Sequence, residues 1–323
     1  PVRNGERRTA PIKRSGRRSA GKQSETRAGE RNAFAITLIV AASCFVPISD
    51  GIAKQLTDVL PILQVAFLRY AVQTALLAPF VFRRYGRAAI TPQQPWAQLA
   101  RSLLIISTTI FLYLALSKMP LADAIAIFFF SPFLVTALSP LVLKERVGIW
   151  RWSAVIVGLI GVMIVICPGF QSVGLGTLYA IASGASFAVF VLTTRSIRGR
   201  DAPLITSFVT GVICAVLLGL TLPFVWQPVE THTLPLLILL GLFGTAFSIC
   251  IVLAYEYGDA SMLAPFSYVE LVAAAAVGFV MFGDLPDGLT WLGIATILLA
   301  GVTIAIREGR RNTTSSAAPR VRR

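Results

Sequence analysis

Residues 121–145 read LADAIAIFFFSPFLVTALSPLVLKE, and residues 260–284 read ASMLAPFSYVELVAAAAVGFVMFGD. Each is an apolar run that contains proline and ends at an acidic residue. An α-helix rises about 1.5 Å per residue, so a run of about 20 residues matches the hydrocarbon layer of a bilayer, which is about 30 Å thick. Both runs are therefore predicted to cross a membrane as helices.

The composition of the whole chain agrees with a membrane protein. Of its 323 residues, 55% are apolar and only 14% are charged, against about 25% charged residues in an average soluble domain. The mean hydropathy is +0.74. Too few polar residues remain to coat a soluble core, so most of the surface must face lipid. This excludes an ordinary soluble enzyme.

Apolar runs separated by short polar breaks predict ten membrane spans of this length. The two ends of the chain, residues 1–32 and 307–323, are basic and poor in apolar residues, so we expect disordered tails there. The predicted spans cover residues 33–54, 62–82, 99–117, 122–143, 150–167, 177–194, 204–225, 234–255, 262–282 and 289–306.

The placement of basic residues predicts the orientation of these spans. Lysine and arginine in short loops stay on the cytoplasmic side of a membrane. With ten spans, most of the 29 basic residues fall on one side, in both tails and in the loops and span ends that include Arg83, Arg84, Arg87, Arg101, Lys144, Arg146, Arg151, Arg195, Arg198 and Arg200. We therefore expect a multi-pass protein of the cytoplasmic (inner) membrane with both termini in the cytoplasm. Because the bases lie in tails and short gaps, the formal charge of +14 does not indicate a nucleic-acid partner.

The chain repeats itself at an offset of about 139 to 141 residues. The segment from Ala115 to Val162 corresponds to the segment from Ala254 to Val302, and both contain a long apolar helix, an acid at its end, a tryptophan and a Gly-Val pair. Each unit holds five spans, an odd number, so the second unit is inverted relative to the first. The fold class predicted is an all-α polytopic membrane protein of two inverted five-helix repeats, at residues 33–167 and 168–306.

Several short motifs occur in the same order in both halves. In the first half they are Phe67-Leu68-Arg69, Ala115-Leu116, Pro120-Leu121-Ala122, Ser131-Pro132, Lys144-Glu145, Trp152 and Gly161-Val162. In the second half they are Glu256, Pro265, Gly283-Asp284-Leu285-Pro286, Trp291 and Gly301-Val302. Their order and spacing resemble the ten-helix, EamA-type members of the drug/metabolite transporter superfamily. The resemblance implies secondary transport of a small organic metabolite by alternating access, with no single substrate, since members move amino acids, riboflavin or S-adenosylmethionine.

The candidate substrate or ion site lies where the two quoted runs are expected to break. Glu270 is deep in the ninth span, where a charge is costly and is by default a functional hypothesis. Proline breaks at matching positions of two repeats expose backbone groups that can hold a ligand. A protonated glutamic acid bonded to a neighbouring helix and ordinary lipid-facing packing are the alternatives. The candidate residues are Glu270, Ser131, Pro132, Pro265, Phe266 and Tyr268.

A second group of candidate residues lies toward the outer ends of the spans. Asp50 and Lys54 are four residues apart and so share one face of the first helix, and Arg69 enters from the second. With Asp123 they are predicted to form a gate or to bind a polar group of the substrate. A structural ion-pair cluster, or side chains that snorkel to the interface, would give the same sequence pattern and remain the alternatives.

The sequence offers no pattern for catalysis. No His-Asp pair, metal-ligand set or phosphate-binding glycine loop is present, so we predict no metal, no cofactor and no enzymatic activity. A membrane-embedded enzyme and a non-transporting scaffold remain the alternatives to a carrier. Proton coupling and a homodimer are left open by the sequence, while the predicted partners are a small-molecule substrate and the lipid bilayer.

Overall fold

The computed structural model describes the backbone of residues 15–144, 148–166, 174–196, 201–258 and 260–316. Those residues contain helices and turns and no strand. Apart from a short 3₁₀ helix at Gly86–Ile90, the helices are α1 (Ser15–Thr57), α2 (Ile62–Tyr85), α3 (Pro95–Leu116), α4 (Leu121–Phe128), α5 (Ser131–Val142), α6 (Ile149–Ile166), α7 (Leu175–Ser196), α8 (Pro203–Gly219), α9 (Leu222–Val225), α10 (Leu234–Tyr257), α11 (Ala260–Ser267), α12 (Val269–Phe282) and α13 (Gly288–Ser316).

The positions of the apolar helices confirm a polytopic all-α membrane protein. Within the described residues, eight segments are long and apolar enough to cross a membrane. The shorter apolar helices at Pro203–Gly219 and Gly288–Thr303 stand where the seventh and tenth spans are predicted. We call the end of the bundle where the span of α1 begins the tail side, and the end where α1 stops at Thr57 the far side.

The helix boundaries differ from the prediction at both ends of the chain. Helix α1 already begins at Ser15 and α13 continues to Ser316, so helix extends into both segments that were expected to be disordered tails. Arginine, lysine, alanine and glutamate are good helix formers, and extending an existing helix avoids the cost of nucleation. Glu145, the acid expected to close the first repeat's fourth span, lies outside the described residues.

Two spans are interrupted near their middle. The fourth span divides into α4 and α5 at Phe129–Phe130, and Pro132 stands in the first turn of α5. The ninth span divides into α11 and α12 at Tyr268, three residues after Pro265. The two breaks touch, because the rings of Phe129 and Tyr268 lie 5.6 Å apart between centroids.

The last helices of the two halves pack closely against each other. At Gly161 of α6, a side-chain Cβ would lie 3.1 Å from the carbonyl oxygen of Gly293 in α13, and at Gly293 it would lie 2.8 Å from the carbonyl oxygen of Gly161. Small residues at such a crossing let two backbones approach in a membrane. This contact fixes α13 beside the first half and so positions the break at Tyr268.

Candidate functional site

An ion pair is buried between the first three helices. Asp50 of α1 is only 1% exposed, and its Oδ1 lies 3.7 Å from Nη1 of Arg69 on α2. The same Nη1 donates a hydrogen bond of 3.0 Å to the hydroxyl of Tyr113 on α3. Asp50 stands seven residues before the far-side end of α1, which is a depth of about 10 Å.

This pair is not saturated with hydrogen bonds. Both carboxylate oxygens of Asp50 and Nε of Arg69 are enclosed and have no hydrogen-bond partner. The only other such side-chain atom in the described part of the chain is the hydroxyl of Thr74, also on α2. A buried polar group without a partner costs about 1–3 kcal/mol. A site for a polar ligand requires free hydrogen-bond acceptors and free donors close together, and this pair offers both.

Helix α10 forms another wall of this site. Nε2 of Gln73 donates a 2.8 Å hydrogen bond to the hydroxyl of Ser248. At Gly244, one turn away, a Cβ would lie 3.1 Å from Oε1 of Gln73 and 3.8 Å from Nε of Arg69. The absence of a side chain at Gly244 therefore lets α10 lie close to Gln73 and Arg69.

Glu270 lies in the first turn of α12 and is half-buried. The amino-terminal turn of a helix carries partial positive charge, which favours a carboxylate there. No hydrogen bond or ion pair within the described residues holds this carboxylate, and it is not among the enclosed atoms. Asp50 is the charged side chain that acts on it electrostatically, so the two acids share one region of the protein.

The other residues predicted beside Glu270 do not converge on it. Tyr268 is buried against Phe129 and fills the space at Gly301 of α13, and Phe266 packs on the apolar cluster of Ala35 and Ile39. Their contacts are those of packing residues. Pro265 lies inside α11, while Ser131 is buried at the start of α5 with Pro132 next to it.

Lys54 was predicted to join Asp50 and Arg69, but the structure separates it from them. Its Nζ donates a 2.9 Å hydrogen bond to the carbonyl oxygen of Met119 and lies 3.7 Å from Oδ2 of Asp284. Residues four apart share a helix face but differ in depth by about 6 Å, which is enough to give Asp50 and Lys54 different neighbours. Lys54 therefore connects α1 to two far-side loops, and Asp123 at the start of α4 lies beside Thr290 near the same place.

The tail side is closed by apolar contacts. Ala35 and Ile39 of α1 pack against Ala254 of α10 and Leu263 of α11, all of them buried. On the same side, Nη2 of Arg84 lies 3.7 Å from Oε1 of Glu256. The enclosed pair thus has a polar closure on the far side and an apolar one on the tail side.

Sequence reasoning missed several residues of this site. Tyr113, Gln73 and Ser248 are polar residues within long apolar runs, and their depth is visible in the sequence. Their helical faces depend on the rotation of each helix in the bundle, which the runs do not specify. Among the described residues, no group of three or more His, Cys, Asp and Glu side chains could hold a metal ion.

Several known proteins are similar to this chain over most of its length. A riboflavin transporter of Rhizobium johnstonii is 32% identical over 252 residues, which cover 78% of this chain and 83% of that protein. An S-adenosylmethionine uptake transporter of Rickettsia bellii is 28% identical, covering 80% of this chain and 89% of that protein. A pseudopaline exporter of Pseudomonas aeruginosa is 25% identical, covering 84% and 95%.

The fold also has a counterpart among solved structures. A crystal structure of a protein that is 18% identical superposes with a TM-score of 0.60 and covers 88% of this chain and 98% of that one. At this identity the likeness concerns the fold alone.

The family itself is established by a match to both halves. The pattern of the EamA-like transporter family matches residues 33–167 and again residues 174–306. The family and these relatives are transporters of small metabolites and not enzymes, as the sequence predicted. This match covers most of the chain, and the apolar helices follow the order that the motifs predict. The chain therefore belongs to the EamA-like transporter family.

Proposed function

We propose that this small-metabolite transporter is a secondary carrier that works by alternating access, with its substrate site between the Asp50–Arg69 pair and Glu270. The enclosed, unpartnered atoms of Asp50 and Arg69 carry this proposal. They offer a substrate both an acceptor and a donor in a region from which lipid and bulk water are excluded, where polar contacts are strong. The division into two five-helix units, with residues 1–32 and 307–323 outside them, is part of the same proposal.

The two closures suggest how access alternates. The far side opens when Lys54 releases Asp284 and the Met119 carbonyl group. The tail side opens when α1 moves away from Leu263 and Ala254. A carrier must open only one side at a time, and the inverted relation of the two halves lets each side be opened by the same kind of movement.

Glu270 is proposed to carry the coupling proton. Its carboxylate has no fixed partner in the described structure and stands near a second acid, so a proton or a cationic group is needed to neutralise it during the transition. The basic residues of the tails and tail-side loops favour the inner membrane with both termini in the cytoplasm. The relatives are named for three different molecules, so their names leave the substrate open.

The test is flux in proteoliposomes made with the full chain. A pooled library of amino acids, vitamins and nucleoside derivatives, including riboflavin and S-adenosylmethionine, is followed by mass spectrometry with and without an imposed pH gradient. We expect at least one compound to move faster with the gradient in the wild type and in Glu230→Gln, which makes the same change at an exposed far-side glutamate. In Glu270→Gln the acceleration should disappear.

Two results would contradict the proposal. Flux that responds to the gradient equally in Glu270→Gln would remove the coupling role of this residue. Flux that is unchanged by Asp50→Asn and by Arg69→Gln, in protein shown to be folded, would remove the substrate site from the buried pair.

A further inference from the structure

Arg101 is a buried cation that the transport proposal does not use. The sequence predicts it only as one of the basic residues that orient the protein, near the start of the third span. In the structure it lies inside α3, six residues after Pro95, at a depth of about 9 Å. It is only 6% exposed. An arginine that merely orients the protein in the bilayer would extend to the water at the interface.

The direct partners of Arg101 in the described part of the chain are all electrically neutral. Its Nε donates a 2.8 Å hydrogen bond to the hydroxyl of Thr194 on α7, and Nη1 donates to Oε1 of Gln98 at 3.0 Å and to the carbonyl oxygen of Thr206 on α8 at 3.5 Å. The guanidinium also lies over the ring of Phe190, 4.9 Å from its centroid. These contacts fix the position of the guanidinium but do not neutralise its positive charge.

No acid among the described residues neutralises this charge directly. Within the described ranges no carboxylate forms an ion pair with Arg101, whereas Arg69 faces Asp50. Asp201 is linked to Arg101 only through Gln98, since it accepts a hydrogen bond of 3.4 Å from Nε2 of Gln98. A cation enclosed without a counter-charge is costly, and in a membrane protein it marks a functional site by default.

One end of the guanidinium is not used by the described residues. Nη2 has no hydrogen-bond partner among the residues that the structure describes, yet it is not one of the enclosed unpartnered atoms. Part of its surface is therefore accessible to water, although Arg101 as a whole is only 6% exposed. Its two N–H bonds donate only, and hydrogen bonds between arginine and carboxylate or phosphate oxygens are the strong, charge-assisted kind.

We propose that Arg101, held between α3, α7 and α8, is the centre of a binding site for an oxyanion, a carboxylate or a phosphate group. The anion accepts from Nη2 and supplies the missing negative charge, while Thr194, Gln98 and Thr206 hold the guanidinium in place. The site is separate from the Asp50–Arg69 pair and does not depend on the proposed transport mechanism. The oxyanion comes either from a dissolved molecule or from a lipid headgroup at the tail-side interface.

The first experiment measures thermal unfolding of the full chain, purified in a neutral detergent without phospholipid, at constant ionic strength. Inorganic phosphate is titrated in one arm and anionic phosphatidylglycerol in the other, with zwitterionic phosphatidylcholine as the lipid control. A ligand that binds only the folded protein raises Tm in a saturable way. We expect saturation in at least one arm, and the arm that saturates identifies the source of the oxyanion.

The variants assign that effect to Arg101. Arg101→Gln should weaken the apparent binding at least tenfold, while Arg195→Gln, which removes an exposed arginine at the end of α7, should leave it unchanged. An equal effect in Arg101→Gln and the wild type would overturn the proposal, because the basic tails would then account for the stabilisation. So would the absence of saturable stabilisation in both arms.

A second measurement needs no variant, in case Arg101→Gln fails to fold. Phenylglyoxal modifies accessible guanidinium groups, and peptide mass spectrometry reports the extent at each arginine. We expect modification of Arg101 in the wild type, slowed at least threefold by the ligand that stabilises the protein, with no slowing at Arg195. An Arg101 that never reacts, or one that the ligand does not protect, would contradict a site open at Nη2.

Discussion

The fourth and ninth spans are broken at repeat-related places, yet the residue after each break differs in chemistry. After the first break stands Ser131, which is buried at the start of α5, and after the second stands Glu270, half-buried in the first turn of α12. The two helices have the same architecture but different charge. The internal repeat therefore supplies the backbone geometry twice, while only the second half places an ionisable side chain directly after its break.

The acids of the two halves also differ in how they are held. Asp50, in the first half, faces Arg69 across 3.7 Å. Glu270, in the second half, has no ion-pair partner among the described residues. A paired acid is a fixed part of the bundle, whereas an unpaired acid can change its protonation state without breaking a contact. This difference predicts opposite responses to removing each charge.

The largest expected effect is on stability, from Asp50→Asn. The change leaves the Arg69 cation buried without its counter-charge, and breaking a buried pair in this way costs about 3–5 kcal/mol. Glu270→Gln removes an unpaired charge, so we expect no loss of stability, or a gain. Unfolding of both variants in a denaturant series measures the difference.

The double variant Asp50→Asn/Arg69→Gln is the control, because it removes both charges. It should recover part of the loss. If Glu270→Gln destabilised the protein as much as Asp50→Asn, then Glu270 would have a fixed partner and the contrast between the halves would be wrong.

The next effect concerns the packing of the second break. Tyr268 occupies the space where a side chain at Gly301 would stand, so Gly301→Ala must displace the ring. Overpacking of this kind costs about 1–3 kcal/mol. Thermal unfolding should show the loss for Gly301→Ala but not for Gly288→Ala, where an added Cβ meets nothing within 4 Å.

A double-mutant cycle tests whether Tyr268 causes this cost. In a Tyr268→Leu background the cost of Gly301→Ala should fall clearly, because the two residues are coupled through direct contact. An unchanged cost would mean that the ring is not what Gly301 accommodates.

The fold could be predicted from the sequence, whereas the site could be predicted only in part. The length of each span and the order of the motifs can be read directly along the chain. Both helix breaks lie close to Pro132 and Pro265, as these prolines indicated. Glu270 was recognisable because a single acid in a long apolar run is conspicuous. The partner of Lys54 was not, because Asp284 is distant in sequence and the pairing depends on how α1 and α12 are rotated. Arg101 was predicted only as one of the basic residues on the cytoplasmic side, because the sequence does not show that α7 and α8 cover it.

A smaller effect is expected at the start of the last helix of the second half. Oδ1 of Asp287 accepts a 2.7 Å hydrogen bond from the backbone N–H of Thr290 and so caps α13. The repeat-related residue before α6 is Gly148, which has no side chain to make such a bond. Replacing a capping Asp by Ala costs about 1 kcal/mol, so Asp287→Ala should lower stability by that amount while Asp287→Gly costs less.

This cap also predicts a dependence on pH. The hydrogen bonds from Thr290, first from its backbone and then from its side chain, hold the pKa of Asp287 below its ordinary value. A carboxyl group whose pKa is lower in the folded protein stabilises it above the unfolded-state pKa, and the contribution is lost as the pH falls through the folded-state pKa. The difference between wild type and Asp287→Ala should therefore shrink in acid. A difference that stayed constant down to the lowest pH would show that the cap does not depend on the charge.

The smallest effect is expected for the ion pair that joins the two halves on the far side. Lys54 and Asp284 are 16% and 41% exposed, and ion pairs that water can reach contribute only about 0.2–1 kcal/mol. A double-mutant cycle of Lys54→Met and Asp284→Asn isolates the pair from the hydrogen bond that Lys54 donates to Met119. We expect a coupling in that range at low salt that falls toward zero in 1 M salt, where the screening length is about 3 Å.

A closure that opens in each transport cycle must also be a weak contact. A coupling above about 2 kcal/mol that salt does not reduce would mean that Lys54 locks the far side, and the opening movement would then have to be sought elsewhere.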